Sequence, residues 1–312
     1  MEMHSEKWFQ TVVESAGYKI TGPIVKVKES DFCLIVRIPT NNGDLYLKEN
    51  GSATKHEASL SKYLDGTLKG KTARIVASNE SEGWFLMKDL KGQPLWKLKE
   101  KVLWQRAIQE YAELQIIQTN NVESLLALGV PDRRIPILKQ EIEQYLLDMC
   151  RTGLSEEETK KVMSLQPEFF EMCDYLGSIV PASIEHGDLH SNNIRLVNEN
   201  ISFFDWGDTS VSHPFFSTRI FWHALDALIK VESDWLKVVE EFRPFYLEPW
   251  TKFAPMKELD RALRISDELA CVQRALSWHL YLTPYSKNKV EFAARPAQWL
   301  RLLMEHRTLV GK

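Results

Sequence analysis

The pattern of apolar and polar positions divides the chain into a strand-rich first part and a helix-rich second part. Short apolar runs predict strands at 24–27, 33–38, 44–48 and after residue 83. Later in the chain, apolar residues recur every three or four positions, which predicts helices at 96–119, 139–150, 156–178, 215–230, 234–246, 257–283 and 296–307. At 312 residues the chain is also long enough to split into two lobes. We therefore expect an α+β protein with a small lobe at 1–90 and a helical lobe at 91–312.

A predicted hairpin in the second part brings two polar residues together. The apolar runs 194–197 and 201–204 are separated by the polar group 198–200, which predicts antiparallel strands joined by a loop. If the strands pair symmetrically about that loop, Asn193 faces Asp205 with Cα atoms about 4.5 to 5.5 Å apart. Their side-chain oxygens can then share one cation. Mg²⁺ suits them because it takes oxygen ligands and completes its shell with phosphates.

The loop before this hairpin supplies a candidate base. Residues 186–193 read His-Gly-Asp-Leu-His-Ser-Asn-Asn, so Asp188 lies five residues before Asn193. A carboxylate here can orient an attacking hydroxyl and accept its proton while a metal offsets charge on the phosphates. Each residue alone has a simpler explanation, because His-Gly-Asp is common in turns and an Asp after a strand often acts as a cap. The combined spacing instead favours a phosphotransferase.

This pattern resembles the protein-kinase catalytic loop, His-x-Asp-x-x-x-x-Asn followed by a metal-binding Asp. It is more similar still to the aminoglycoside phosphotransferase and choline kinase family, whose loop reads His-Gly-Asp-Leu-His-x-x-Asn and whose metal segment reads Asp-Trp-x-Asp or Asp-Trp-x-Glu; here 205–208 reads Asp-Trp-Gly-Asp. The resemblance implies a protein-kinase-like fold, with a small antiparallel β-sheet lobe and a mainly helical lobe. It implies that Asp188 is the catalytic base, Asn193 and Asp205 are Mg²⁺ ligands, and His186 is a buried support of the loop.

The first part contains candidates for a nucleotide site. In the predicted strand 44–48, Tyr46 and Lys48 face the same side. The string Leu-Tyr-Leu-Lys is similar to one in aminoglycoside 3′-phosphotransferases, which implies that Tyr46 stacks on adenine and Lys48 binds phosphate. Such stacking contributes roughly 1 to 3 kcal/mol. Without the resemblance, Tyr46 is an ordinary strand aromatic and Lys48 a solvated edge residue.

Two functions are open for Glu57, which follows Lys48 by nine residues in a predicted helix at 52–64. The resemblance implies an ion pair between Glu57 and Lys48. The string Thr54-Lys-His-Glu57 is also a capping box, in which the glutamate would serve the helix N-terminus. We favour the ion pair.

Further nucleotide and phosphate contacts are expected at positions where the motifs are weaker. The resemblance places an inter-lobe hinge after the fourth strand, where the backbone of Lys88 and Leu90 would hydrogen-bond the adenine edge. Ser30, in the segment 28–32 that would cover the phosphates, is a candidate for a phosphate contact. His190 stands where protein kinases carry a phosphate-contacting Lys, so it is either a phosphate contact or a structural histidine.

The acceptor is not determined by these motifs, because one fold supports many substrates. A polycationic aminoglycoside needs converging carboxylates, for which the candidates are Asp208, 156–158, Glu232 and Asp234. The run 155–158 is equally a capping box. A choline-type site would use aromatic faces, and its candidates, which core packing explains equally well, are Trp206, Trp222, Trp235, Tyr246 and Trp250.

Composition indicates where such an enzyme would work. There are 39 basic and 43 acidic residues with a net charge of −4 and no basic stripe, so we expect no nucleic-acid partner. No apolar run approaches the roughly 20 residues of a membrane span, and the N-terminus lacks an apolar signal core. We expect a cytoplasmic monomer or homodimer without a membrane partner. It would use ATP, or alternatively GTP, with Mg²⁺, and phosphorylate a small-molecule hydroxyl.

Two alternatives remain open from the sequence. One is an ATP-binding regulator without turnover, which the complete set of candidate site residues disfavours. The other is a protein kinase, which the absence of Gly-x-Gly-x-x-Gly, Asp-Phe-Gly and Ala-Pro-Glu segments disfavours. The chain also departs from the family downstream, where 213–217 reads His-Pro-Phe-Phe-Ser and many members carry an Asp. That departure leaves open what anchors the metal segment.

Overall fold

The first lobe is built on a five-stranded antiparallel sheet. The computed structural model describes residues 4–229 and 234–312. The strands lie in the spatial order β1-β2-β3-β5-β4, and their bounds are β1 (Val25–Glu29), β2 (Cys33–Ile38), β3 (Leu45–Asn50), β4 (Ile75–Asn79) and β5 (Trp84–Lys88). Helix α2 (Glu57–Thr67) connects β3 to β4.

One face of this sheet is covered by helix α1 (Glu6–Ser15), which the apolar pattern did not predict. Phe9 and Val13 are fully buried and pack against apolar residues of β2 and β3, including Leu47. Because side chains alternate along a strand, Tyr46 and Lys48 lie on the opposite face of β3 from Leu47. The helix therefore covers the sheet on one side and leaves the other for the cleft between the lobes.

The chain crosses to the second lobe after β5. The short strand β6 (Gln93–Pro94) pairs with β8 (Ile194–Val197), which pairs with β9 (Asn200–Phe203). Strand β7 (Ser183–Glu185) pairs separately with β10 (Ser210–Ser212). These two small sheets hold the loops that carry Asp188 and Asp205.

Helices make up the rest of the second lobe. Their bounds are α3 (Lys101–Gln118), α4 (Val122–Ala127), α5 (Ile135–Arg151), α6 (Glu156–Ser164), α7 (Gln166–Ile179), α8 (Thr218–Ala224), α9 (Trp235–Leu247), α10 (Met256–Leu276), α11 (Lys289–Phe292) and α12 (Arg295–Leu309). The single helix predicted at 156–178 is two helices, because Pro167 begins a new helix at its first turn.

The core of this lobe surrounds α10, which packs against α7 and α12 and is buried along most of its length. Four of the five aromatic residues considered for a cation site, Trp206, Trp222, Tyr246 and Trp250, are at most 2% exposed within this core. The fifth, Trp235, packs against the same core and donates from Nε1 to the carbonyl of Trp222. These side chains are therefore core residues.

Across the described residues, no helix combines the length and the apolar character that spanning a membrane requires.

Candidate active site

The β8–β9 hairpin is tighter than the sequence predicts. Ile194 pairs with Phe203 and Val197 with Asn200, so the register is one residue away from the predicted one and Asn193 faces Phe204. The prediction was wrong because the loop has two residues, Asn198 and Glu199, both with positive φ. Such type I′ turns match the right-handed twist of antiparallel strands. Asn200 therefore belongs to the strand.

Asp205 nevertheless reaches the cleft, because its own backbone turns there. Its φ is +64°, in the left-handed region, which Asp tolerates better than most residues. Asp205 Oδ1 lies 2.5 Å from Lys48 Nζ. Burial alone would raise the pKa of Asp205, but the charge of Lys48 outweighs it and lowers that pKa to about 2.

The catalytic loop is held by buried hydrogen bonds. His186 is fully buried; its Nε2 lies 3.2 Å from the Phe204 carbonyl, and its Nδ1 accepts from the Asp188 amide at 3.3 Å. Burial lowers the pKa of His186, so the ring is neutral and Nε2 is the donor. Asn193 Nδ2 donates to the Asp188 carbonyl at 3.0 Å, which directs its amide oxygen elsewhere.

His190 contacts the candidate base directly. Its Nε2 lies 3.3 Å from Asp188 Oδ2, and its Nδ1 accepts from the Asn192 amide at 3.1 Å. Burial acts to lower the pKa of His190, but the hydrogen bond and charge of Asp188 outweigh it and raise that pKa. Burial likewise acts to raise the pKa of Asp188, and the contacts with His190 and the charge of Arg274 lower it. The carboxylate is therefore ionised at neutral pH.

Lys48 joins the two lobes electrostatically. Its Nζ lies 2.6 Å from a carboxylate oxygen of Glu57 as well as 2.5 Å from Asp205, and both Lys48 and Glu57 are buried. Burial would lower the pKa of Lys48, but the two carboxylates raise it, so the side chain is charged. Glu57 also accepts from the Trp206 amide at 3.1 Å. This glutamate therefore connects α2 to the metal segment.

The capping alternative for Glu57 is not what the structure shows. Helix α2 begins at Glu57 without a side-chain cap, and the Thr54 hydroxyl donates to the Phe32 carbonyl at 3.3 Å. The other predicted capping box does form: Ser155 and Glu158 cap α6 reciprocally, and Glu158 also pairs with Arg301.

A cleft of about 770 Å³ lies between the lobes. Its lining contains most of the candidate groups together with several cations, namely Lys28, Trp96, Lys97, Asp188, His190, Asn193, Arg195 and Asp205. Lys48 and Met87 line a smaller adjoining cavity that shares Ile35 and Asp205 with the cleft. The charge of Arg195 acts on Tyr46, which places that ring near the same cleft.

The weaker candidates have local contacts. The Ser30 hydroxyl accepts from the amides of Phe32 and Cys33 at 3.3 and 3.2 Å, which stabilises the β1–β2 turn. The Lys88 amide donates to the Arg74 carbonyl at 2.9 Å, and Leu90 follows at the crossing between the lobes. Any adenine contact by Lys88 would therefore use its carbonyl.

The candidate metal ligands fit a hard divalent cation. Asn193 is 4% exposed and its amide nitrogen is already bonded to Asp188, while only Oδ1 of Asp205 contacts Lys48. One amide oxygen and one carboxylate oxygen remain, the ligand type that Mg²⁺ takes when phosphates complete its shell. Within residues 4–229 and 234–312, no group of three His, Cys, Asp or Glu side chains is placed to hold a metal ion.

The carboxylates considered for a polycationic acceptor do not converge. Asp208 pairs with Arg274 at 2.6 Å, and Glu158 pairs with Arg301 at the start of α6. Asp234 precedes α9 in a different part of the lobe. Glu232 lies outside the described residues.

The lobes meet a second time through the β1–β2 loop. This contact lies at the opposite end of the sheet from the crossing at β5, because Cys33 pairs with Asn50 whereas Lys88 pairs with Leu45. The Asp31 carboxylate accepts from the Asn288 amide at 2.8 Å and from the Ser286 hydroxyl. The sequence gave no signal for this contact, because its partners are about 255 residues apart.

Aromatic rings extend that contact. Phe32 packs against Trp278 and Phe292, with ring centroids 6.3 and 5.6 Å away, and Trp278 stacks on Phe292. The guanidinium groups of Arg274 and Arg295 lie 5.9 and 5.5 Å from the Trp278 centroid. Trp278 therefore already has two cationic neighbours.

Solved structures with the same arrangement of elements show that the fold is that of small-molecule kinases. A macrolide 2′-phosphotransferase type I superposes with a TM-score of 0.64 at 14% identity, covering 96% of this chain and 98% of that one. A choline/ethanolamine kinase family protein from Mesorhizobium loti gives 0.63 at 15% identity, covering 97% and 95%. The GDP complex of an aminoglycoside 2′-phosphotransferase gives 0.64 at 15% identity, covering 97% and 98%. The predicted two-lobed, protein-kinase-like fold is confirmed.

Sequence comparison then identifies the family. The phosphotransferase enzyme family matches residues 35–227, which is more than half of the chain and includes Lys48, Asp188 and Asp205. The chain belongs to that family and is a kinase. No curated protein sequence matches it.

Proposed function

We propose that the protein transfers the γ-phosphate of ATP to a hydroxyl of a small molecule, with Asp188 as the base. The observation that supports this most is the convergence of Asp188, Asn193 and Asp205 at one cleft, with Lys48 held at its edge by two carboxylates. In this proposal residues 1–90 form the nucleotide-binding lobe and residues 91–312 the catalytic and acceptor-binding lobe.

The reaction follows from these positions. The acceptor hydroxyl gives its proton to Asp188 as its oxygen bonds to the γ-phosphorus, the bond to the bridging oxygen breaks, and ADP leaves. Mg²⁺ held by Asn193 and Asp205 would offset the negative charge that develops on the phosphates. Lys48 would bind phosphate, and Glu57 would keep its ammonium group in place. His190 would hold the base and stand close to the transferred group.

The adenine site of this proposal makes a testable prediction at Tyr46. Tyr46→Ala should weaken ATP binding by roughly 1 to 3 kcal/mol, the contribution of a base stacked on an aromatic ring. Tyr46→Phe keeps the ring and should bind ATP nearly as well as the wild type. Titration calorimetry with ATP and GTP measures both variants and the nucleotide preference. Equal losses in the two variants would show that the hydroxyl, not the ring, makes the contact.

We further propose that the acceptor is uncharged or anionic. Each carboxylate of the site already has a cationic neighbour: Asp188 has His190, Asp205 has Lys48, and Asp208 has Arg274. The cleft is lined besides by Lys28, Lys97 and Arg195. Aromatic faces are engaged too, since Lys97 lies over Trp96 and two arginines lie over Trp278. A polycation or a quaternary amine would have to displace these charges.

A panel of acceptors tests the function and the acceptor class together. With Mg²⁺ and ATP, we expect ADP release to be stimulated by a member of the sugars, sugar acids or hydroxy acids. Aminoglycosides, choline and ethanolamine should leave the release at its background. Stimulation by a polycation would overturn the acceptor class alone. A wild-type protein that fails to bind ATP would overturn the function itself.

A further inference from the structure

The catalytic loop and the metal segment are in direct backbone contact. Gly187 has a φ of +75°, and a Cβ at this position would lie 2.2 Å from the Asp208 carbonyl oxygen. Only glycine permits so close an approach. The relative position of Asp188 and Asp205 therefore depends on where Asp208, at the end of the metal segment, is held.

Asp208 is held by a buried arginine that the sequence motifs did not indicate. Arg274 lies in the last turn of α10, is 7% exposed, and donates from Nη2 to Asp208 Oδ2 at 2.6 Å. Since α10 is the most enclosed helix of the lobe, this bond attaches the metal segment to a rigid support. It supplies the anchor that the departure at 213–217 left open.

The surroundings of Arg274 are those of a charge directed at the site. The charges of Asp208, Asp188 and Glu185 all act on it, and its Nε has no hydrogen-bond partner among the described residues. A buried guanidinium beside several carboxylates orders them, because moving any one away leaves charge uncompensated. The same cation thus faces both the candidate base and the metal segment.

We propose that Arg274 is a positioning residue, which fixes the metal segment against the catalytic loop through Asp208 and so sets the position of Asp205 relative to Asp188. The proposal rests on the function given above, in that Asp188 and Asp205 are taken as the acting residues. Arg274 itself contacts neither the nucleotide nor the acceptor in this account.

A second buried pair on the same helix provides a matched control. Arg243 Nη2 lies 2.7 Å from Asp267 Oδ2, and both side chains are at least as buried as those of Arg274 and Asp208. Asp267 belongs to α10, but this pair has no contact with the catalytic loop or the metal segment among its hydrogen bonds. Arg243→Met therefore removes a comparable buried ion pair away from the cleft.

The test compares Arg274→Met, Arg274→Lys and Arg243→Met with the wild type. Hydrogen exchange of the unliganded protein at 204–210 should accelerate in Arg274→Met, recover partly in Arg274→Lys, and stay unchanged in Arg243→Met. The gain in ADP affinity on adding Mg²⁺ should fall about tenfold or more in Arg274→Met, as for other partners that orient metal ligands. Arg274→Lys should recover part of this gain, and Arg243→Met should keep all of it.

Two results would overturn the proposal. One is unchanged exchange at 204–210 in Arg274→Met. The other is equal effects of Arg274→Met and Arg243→Met on exchange, Mg²⁺-dependent gain and melting temperature, which would make Arg274 an ordinary core residue. If Arg274→Met does not fold, Arg274→Lys and Asp208→Asn test the same bond, and wild-type exchange at 204–210 in both would contradict it. A wild-type protein without any Mg²⁺-dependent gain would instead contradict the function on which the proposal rests.

Discussion

Asp188→Asn is expected to reduce phosphoryl transfer by about 10²- to 10⁴-fold, the contribution of a positioned general base. The amide keeps the size of the carboxylate but cannot accept the proton of the attacking hydroxyl. Asp188 is ionised in the structure because His190 and Arg274 stabilise its charge. The loss should therefore appear in kcat, while ATP affinity stays largely unchanged. Steady-state ADP release and calorimetric titration of ATP separate the two.

Asp132→Asn is a suitable control for this variant. Asp132 is a partly exposed carboxylate of the same lobe, paired with Arg134 at 2.6 Å. Its substitution removes one negative charge and one ion pair without touching the catalytic loop, and it should leave kcat unchanged. Wild-type transfer rates in Asp188→Asn, with the protein folded, would rule out Asp188 as the base.

Asp205→Ala is expected to abolish most of the Mg²⁺-dependent part of nucleotide binding. Partners that merely orient metal ligands contribute about 10- to 100-fold in metal affinity, so loss of a ligand should cost at least as much. In the structure Asp205 is paired with Lys48 at 2.5 Å. When Asp205 turns to the metal, Lys48 becomes available to the phosphates. The measurement is ADP affinity with Mg²⁺ and with EDTA.

Asp205→Asn separates charge from backbone conformation. Asn tolerates the left-handed φ of +64° at this position, whereas Ala is strained there. Both variants should lose the Mg²⁺-dependent gain, and Asp205→Asn should retain the melting temperature better. Affinity in EDTA should change little in either. A Mg²⁺-dependent gain as large as that of the wild type in both variants would exclude Asp205 as a metal ligand.

The sequence predicted the site better than it predicted the structure that supports the site. Lys48, Asp188 and Asp205 occur in short motifs with fixed spacing, so the residues that meet at the cleft could be selected one segment at a time. The hairpin register was missed by one residue because turn length depends on backbone conformation at Asn198 and Glu199, which the apolar pattern does not specify.

Long-range contacts were the other limit. The bond between Arg274 and Asp208, and that between Asp31 and Asn288, join segments 66 and 257 residues apart, and a single arginine or aspartate in a sequence carries no signal for them. The choice between an ion pair and a cap for Glu57 was open for the same reason, because it depends on where Lys48 lies in space. Local pattern predicts elements and motifs; the packing of α10 against the loops does not follow from it.

The most direct test of the central claim is transfer of label from γ-labelled ATP into a small-metabolite extract, with wild-type protein and Asp188→Asn side by side. We expect label in a small molecule with the wild type and none above background with the variant. Label that stays in ATP and inorganic phosphate, or that appears on protein, would contradict a small-molecule hydroxyl kinase.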